Sequence, residues 1–309
     1  MTDLLHLITP TNLEKEKEKF FASNNYHPVF HYVWQDQPYN PTFSVQLKYP
    51  LWEAIKKQNR HEIMETAQEL FEVPIDETVL SRAKIDANTK GMMSIGAVSQ
   101  IVNLFEDAIM EFDLDYQVLV SDATGFNIRP RHNDKQIIIS RDIHFDYFSM
   151  EAEVHHELVH VIRSVNGDYN NIRRSQSYLP TEEGLASWCQ DNTNNDNGLA
   201  QHAMEYVASS VGLNGSLRDV YDCLCELGMS PELAWKRACR HKFGFVETKL
   251  AGDILKPAMY YLNETRISKL STDEKVRLFV GKISLNELSK YPAYTGMWDQ
   301  QKIIQYFKL

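Results

Sequence analysis

Two histidines four residues apart, His156 and His160, flank a glutamate, Glu157, in the segment Glu151-Ala-Glu-Val-His-His-Glu-Leu-Val-His-Val-Ile-Arg163. On a helix, residues at this spacing lie one above the other, so both imidazoles can reach one divalent ion. A glutamate beside the first histidine can hold a water on that ion without being a ligand itself. Zinc lowers the pKa of such a water to about 7, and the carboxylate then accepts its proton. The pattern assigns His156 and His160 as ligands of one Zn2+ and Glu157 as the catalytic base. His155 points about 100° away from His156 on the same helix and is expected to pack or hydrogen-bond instead.

A catalytic zinc needs a third protein ligand and an open position. Leu179-Pro-Thr-Glu-Glu-Gly-Leu-Ala186 is the next strong candidate, since Pro180 and Thr181 have the character of a helix start. An acid in the first turn of a second helix packed on the first can reach the ion, and Gly184 lets the helices approach closely. Glu182 and Glu183 both qualify. Glu183 stands directly before Gly-Leu-Ala, and the stretch resembles the Glu-Gly-x-Ala segment of glutamate-ligand zinc peptidases, so Glu183 is favoured. Arg163, one turn beyond His160, can either clamp a substrate carboxylate or pair with a neighbouring acid. Arg173 and Arg174, in the loop between the ligand segments, offer the same choice between substrate and solvent. Tyr169, Tyr178, His241, Tyr260 and Tyr261 are candidates for an oxyanion donor, and nothing in the pattern separates them.

The elements that must position these groups follow from periodicity. Val154, Leu158, Val161, Ile162 and Val165 share one side of the ligand helix, with His156, His160 and Arg163 almost opposite. Before it, Tyr116–Ser121, Asn127–Arg131 and Gln136–Ser140 are short, β-branched and separated by turn residues, as strands are. Further helices are expected from Thr11 or Asn12, over Leu51–Phe71 and Met92–Phe112, and near 199–211, 231–240, 246–263, 284–290 and 298–307. Polar loops are expected at Ala22–Tyr26, Asn166–Tyr178 and Asp191–Gly198. The expectation is an α+β, predominantly helical, zincin-like metallopeptidase with a small sheet preceding the active-site helix. One domain is expected over residues 1–309, with a helical part to about 112 and a catalytic part from about 113.

Composition narrows the class further. Thirty-two basic and 42 acidic side chains give a net charge of −10, with no basic stripe for a nucleic-acid partner. No apolar stretch approaches the roughly 20 residues needed to span a bilayer. The start, charged soon after a short apolar run and without a basic region, does not have the pattern of a signal peptide. The cysteines Cys189, Cys223, Cys225 and Cys239 lack metal or secreted-framework spacing and are expected as core thiols. The expected compartment is cytoplasmic.

Over most of its length the chain resembles the microtubule-associated tyrosine carboxypeptidase family. The likeness is carried by Asn12-Leu-Glu-Lys-Glu-Lys-Glu-Lys-Phe20, His27-Pro-Val-Phe30, and the ligand helix running into Val165-Asn-Gly167. It continues in Pro180-Thr-Glu-Glu-Gly-Leu-Ala186 and Gly281-Lys-Ile-Ser-Leu-Asn-Glu-Leu288. The resemblance implies a zinc carboxypeptidase that removes a C-terminal residue, with an aromatic or tyrosine preference, from a peptide or protein. It carries His156, Glu157, His160 and the Glu182-Glu183 pair into the ligand and base roles. Two departures stand out: the family spacing is H-E-x-x-x-H, and its Tyr-x-x-Gly is replaced by Lys249-Leu-Ala-Gly252, where Lys249 is a candidate for a substrate carboxylate. The rival readings are a zinc aminopeptidase or endopeptidase with the same chemistry, and a non-catalytic peptide-binding protein on a peptidase fold.

Overall fold

In the computed structural model of the chain, residues 4–36, 38–43, 45–87, 97–122, 127–141, 143, 149–194 and 198–309 are described. The first helices are α1 (Leu4–Ile8), α2 (Leu13–Ala22), α3 (Val33–Asp36), α4 (Lys48–Lys57), α5 (Arg60–Phe71), α6 (Glu77–Asp86) and α7 (Val98–Glu111). Three strands follow, β1 (Gln117–Ser121), β2 (Ile128–Arg131) and β3 (Gln136–Ser140), and then the long pair α8 (Met150–Tyr169) and α9 (Tyr178–Asn194). The remainder is α10 (Gly198–Gly212), α11 (Leu217–Glu226), α12 (Pro231–His241), α13 (Lys256–Ser268), α14 (Thr272–Arg277) and α15 (Gln300–Phe307), with short 3-10 turns at Leu278–Val280 and Leu285–Lys290. The protein is therefore predominantly helical with one small sheet.

The chain forms two compact units. One gathers residues 1–88 and 202–261, the other 89–201 and 262–309. The second unit holds the sheet, α8 and α9. In the sheet, β3 is central, parallel to β1 and antiparallel to β2, with Ile138 opposite Leu119 on one side and Arg129 on the other. Ile137, Ile138 and Ile139 are all buried, as a central strand covered on both faces requires. Val154, Leu158, Val161 and Ile162 of α8 enter the same core, beside Phe105 of α7 and Leu185 of α9.

Helix α8 begins where Ser149 accepts a hydrogen bond from the Ala152 amide, and Glu151 and Glu153 stand in its first turn, where the helix dipole favours them. Its C-terminal end departs from the expected loop at Asn166. The Asn166 side chain donates to the Phe279 carbonyl at 2.8 Å and accepts from the Met297 amide at 2.8 Å. These tertiary partners replace the local backbone bonds by which asparagine usually ends a helix, and the helix continues to Tyr169.

Other departures have similar causes. The expected helix 51–71 is two helices, because Gln58 takes φ 52° and Asn59 caps α5. Gln58 is held there by donating to the Gly244 carbonyl and accepting from the Val246 amide. Residues 246–255 do not form the expected helix: the amides of Thr248, Gly252 and Ile254 go to the carbonyls of Pro28, Gly212 and His241, and Leu255 takes φ 58°, so α13 starts ten residues later than expected. Helix α6, which the reading missed, is capped by Asp76 accepting from the Thr78 and Val79 amides. Of the expected loop at 191–198, residues 191–194 belong to α9 and Gly198 to α10, and 195–197 lie outside the described residues. Of the expected helix 92–112, residues 92–96 lie outside the described residues.

Candidate metal centre

α8 and α9 pack against each other, and the chemistry-bearing residues meet between them. The rings of His156 and His160 leave the same side of α8 with centroids 5.2 Å apart. From α9, one carboxylate oxygen of Glu183 lies 3.6 Å from His156 Nε2 and 3.7 Å from His160 Nε2. A donor atom from each of the three residues falls within 4.8 Å of both others. Donors around a tetrahedral zinc at about 2.0–2.1 Å are roughly 3.3 Å apart, so small side-chain adjustments bring this set onto one ion. The donor types and their convergence fit zinc.

The other ring nitrogens are already engaged. His156 Nδ1 lies 2.8 Å from Gln190 Oε1, and His160 Nδ1 lies 2.9 Å from Glu182 Oε1. Acceptors on Nδ1 require a proton there, so Nε2, on the side of Glu183, is the nitrogen each neutral ring has left for an ion. Glu182 and Glu183 thus divide the two acidic roles: Glu183 converges with the imidazoles, while Glu182 orients one of them. The division is geometric, because successive helical residues point about 100° apart.

Glu182 is 3% exposed and is surrounded by donors, Arg163 at 3.3 Å and Lys282 as well as His160. Burial opposes its charge, but Lys282, His160 and Arg163 outweigh that and hold the carboxyl well below its ordinary range. Burial likewise opposes a charged His156, yet the Glu183 carboxylate and the charges of Glu157 and Glu153 raise its pKa to about 9. Glu157 is partly exposed on α8 beside His156.

Arg163 takes one of its two expected roles. It is fully buried, donates to the carbonyls of Leu278, Gly281 and Ile283, and pairs with Glu182. It therefore takes the neighbouring acid and cannot meet a substrate carboxylate. Gly184 corrects an expectation. A Cβ there would fall 2.7 Å from Asn263 atoms, so the glycine admits α13, where close approach to α8 was expected. Pro180 and Thr181, read as a helix start, lie in the first turn of α9, and Thr181 also accepts from the Leu285 amide at 2.7 Å.

The remaining candidates are placed as follows. Arg173 is exposed, whereas Arg174 is half-buried with its guanidinium 5.2 Å from the centre of the Tyr178 ring. Tyr178 is buried at the start of α9, and Tyr169 is exposed at the end of α8. Lys249, His241, Tyr260 and Tyr261 belong to the other unit. There Lys249 is exposed, His241 bonds Asp253 at 2.8 Å, Tyr260 accepts from Lys256 and Tyr261 donates to Asp86. His155 stacks on Tyr306 and bonds Thr193, which makes it a packing histidine. Gln190 and Lys282 were not among the expected site residues. Gln190 carries a local signal, seven residues beyond Glu183 on the same helical face. Lys282, a hundred residues from Glu182, carries none.

Two imidazoles and a carboxylate on neighbouring helices, with a further glutamate beside the first histidine, make a donor set of the kind used by metallohydrolases with a glutamate as third ligand. No family model matches the chain. It is 24% identical to mouse (Mus musculus) "Microtubule-associated tyrosine carboxypeptidase 1" over 329 aligned residues, covering 99% of this chain and 65% of that protein. The rat (Rattus norvegicus) protein of the same name is 23% identical with the same coverage. Mouse "Putative tyrosine carboxypeptidase MATCAP2" is 27% identical over 93% of this chain and 55% of its own length. The resemblance to this family thus extends over nearly the whole chain, and the chain spans somewhat less than two thirds of these relatives.

Proposed function

We propose that this chain is a zinc-dependent carboxypeptidase that removes a C-terminal residue, with an aromatic or tyrosine preference, from a protein or peptide. The observation that carries the reading is the convergence of His156 Nε2, His160 Nε2 and a Glu183 oxygen, with both Nδ1 atoms held by other acceptors. The small sheet ahead of α8 supports a zincin-like arrangement. The carboxypeptidase assignment and the tyrosine preference rest on the names of the relatives.

Zinc, held by His156, His160 and Glu183, would supply Lewis acidity toward the scissile carbonyl and acidity to a water. The chain's own residues do the rest. Glu157 accepts a proton from the attacking water and delivers it to the leaving amine. Gln190 and Glu182 keep the two imidazoles oriented. Arg174 is the favoured partner for the substrate's terminal carboxylate: it is half-buried, and its charge is felt at Tyr178, Lys282 and His132. No described helix is long and apolar enough to cross a membrane, and the proposed setting is the cytoplasm.

The test is Glu157→Gln in the full chain, with zinc measured by mass spectrometry and cleavage followed on peptides with free or amidated C-termini. Zinc content should persist while hydrolysis of the free-acid peptide falls by about two to four orders of magnitude. Full activity in the variant would refute Glu157 as base. Equal cleavage of amidated peptides by the unmodified protein would make it an endopeptidase or aminopeptidase.

A further inference from the structure

We propose that Lys282 is a positioning residue for the metal centre: by donating to the Glu182 oxygen that faces His160, it determines which imidazole nitrogen is presented to the ion. The inference rests on the metal reading above and adds to it a residue with no place in the ligand motif.

Lys282 is 5% exposed, and its ammonium donates to Glu182 Oε1. That same oxygen lies 2.9 Å from His160 Nδ1. The backbone around Lys282 is held by Arg163, which donates to the carbonyls of Gly281 and Ile283 on either side and to the other oxygen of Glu182. The Lys282 carbonyl is fixed as well, accepting from the Ser175 amide at 3.0 Å. Arg163 and Lys282 therefore grip both oxygens of one carboxylate, and the segment carrying Lys282 cannot shift without disturbing Arg163.

This arrangement has a direct consequence for His160. A carboxylate is an acceptor only. With Oε1 immobilised by Lys282, the proton of the neutral His160 ring must sit on Nδ1, and Nε2 is left to face His156 and Glu183. Without Lys282, Glu182 loses the donor that fixes Oε1 and can rotate away from Nδ1. Lys282 also lies 3.4 Å from His132 Nε2, whose Nδ1 is 3.1 Å from the Tyr116 hydroxyl. An ammonium donates, so this contact places the His132 proton on Nδ1 as well. The chain from Tyr116 to His160 thereby connects the sheet to a metal ligand through Lys282.

The experiment uses full-length protein and Lys282→Met, which keeps the length of the side chain and removes the charge. Histidine ring nitrogens are observed by long-range proton–nitrogen correlation on metal-free protein, at a pH where the His160 ring is neutral. Zinc affinity is measured separately by chelator competition. The expected result is His160 with its proton on Nδ1 in the unmodified protein and a mixture of tautomers in the variant. Zinc affinity should weaken by roughly 10- to 100-fold, the scale for losing an outer partner of a ligand. An unmodified protein whose His160 carries its proton on Nε2 overturns the proposal without any variant. So does a folded variant that keeps both the tautomer and the zinc affinity. If the unmodified protein takes up no zinc, the metal reading fails, and the tautomer comparison alone decides the role of Lys282. If Lys282→Met does not fold, Lys282→Arg retains a donor to Glu182 and should retain the Nδ1 proton; its loss there overturns the proposal.

Discussion

His156 and His160 are useful as ligands only if each ring shows Nε2 to the same point, and Gln190 and Glu182 supply that condition from α9. Replacing Gln190 with Ala leaves the His156 ring free to turn and to exchange tautomers. Zinc affinity in Gln190→Ala should fall by roughly 10- to 100-fold in a chelator competition. Thr193→Ala provides the contrast, since Thr193 bonds His155, a packing histidine outside the centre. That variant should bind zinc as the unmodified chain does. Glu183→Gln removes the anionic donor itself and should weaken zinc binding more than Gln190→Ala. Equal loss in the two would mean that Glu183 is no ligand.

At the scale of elements, the centre depends on how closely α9 is held by its neighbours within the same unit. The Gly184 position leaves no room for a methyl group, because Asn263 backbone and side-chain atoms would stand 2.7 to 2.8 Å from it. Gly184→Ala should cost about 1–3 kcal/mol through overpacking, despite the better helix propensity of alanine. A lowered urea midpoint would show this, and an unchanged or raised one would mean that α13 yields without strain. Element existence was largely legible beforehand: the three strands, α2, α8, α10, α12 and α15 lie close to where periodicity and turn residues place them. What was not legible were the ends and breaks. Gln58, Asn166 and Thr181 look like ordinary polar residues, and each is recruited by a partner more than a hundred positions away. Local propensity holds no information about such partners.

For the whole molecule, carboxylates held ionised by their donors tie stability to pH. Glu205, 1% exposed, pairs with Arg237 at 3.2 Å in the first unit. Burial opposes its charge, but Arg237 and Arg240 outweigh burial and lower its pKa from the ordinary 4.5. In the second unit, serine and backbone donors with Lys290 outweigh burial at Glu287 and lower its pKa to about 2. The folded state therefore releases these protons more readily than the unfolded chain. The resulting stabilisation is fully present above about pH 4.5 and is lost as the pH falls toward 2. The contribution of these carboxylates to the urea midpoint should therefore decline below about pH 4.5, with Glu205→Gln flattening part of the decline. A midpoint that rises on acidification would contradict this assignment.

From its order of residues alone, this protein has a helix with two imidazoles and a glutamate on one face, a small sheet ahead of it, and a second acidic helix start that can complete a metal site. These follow from spacing, because helical and strand periodicity convert sequence distance into direction. Only tertiary structure places Glu183 beside the two imidazoles and Glu182 behind His160, pairs Arg163 with that second acid, and brings Lys282 to the same carboxylate. The physical reason is that a side chain's role is set by what surrounds it in space. Arg163, Glu182 and Lys282 acquire theirs only when segments about a hundred residues apart close around a single buried carboxylate.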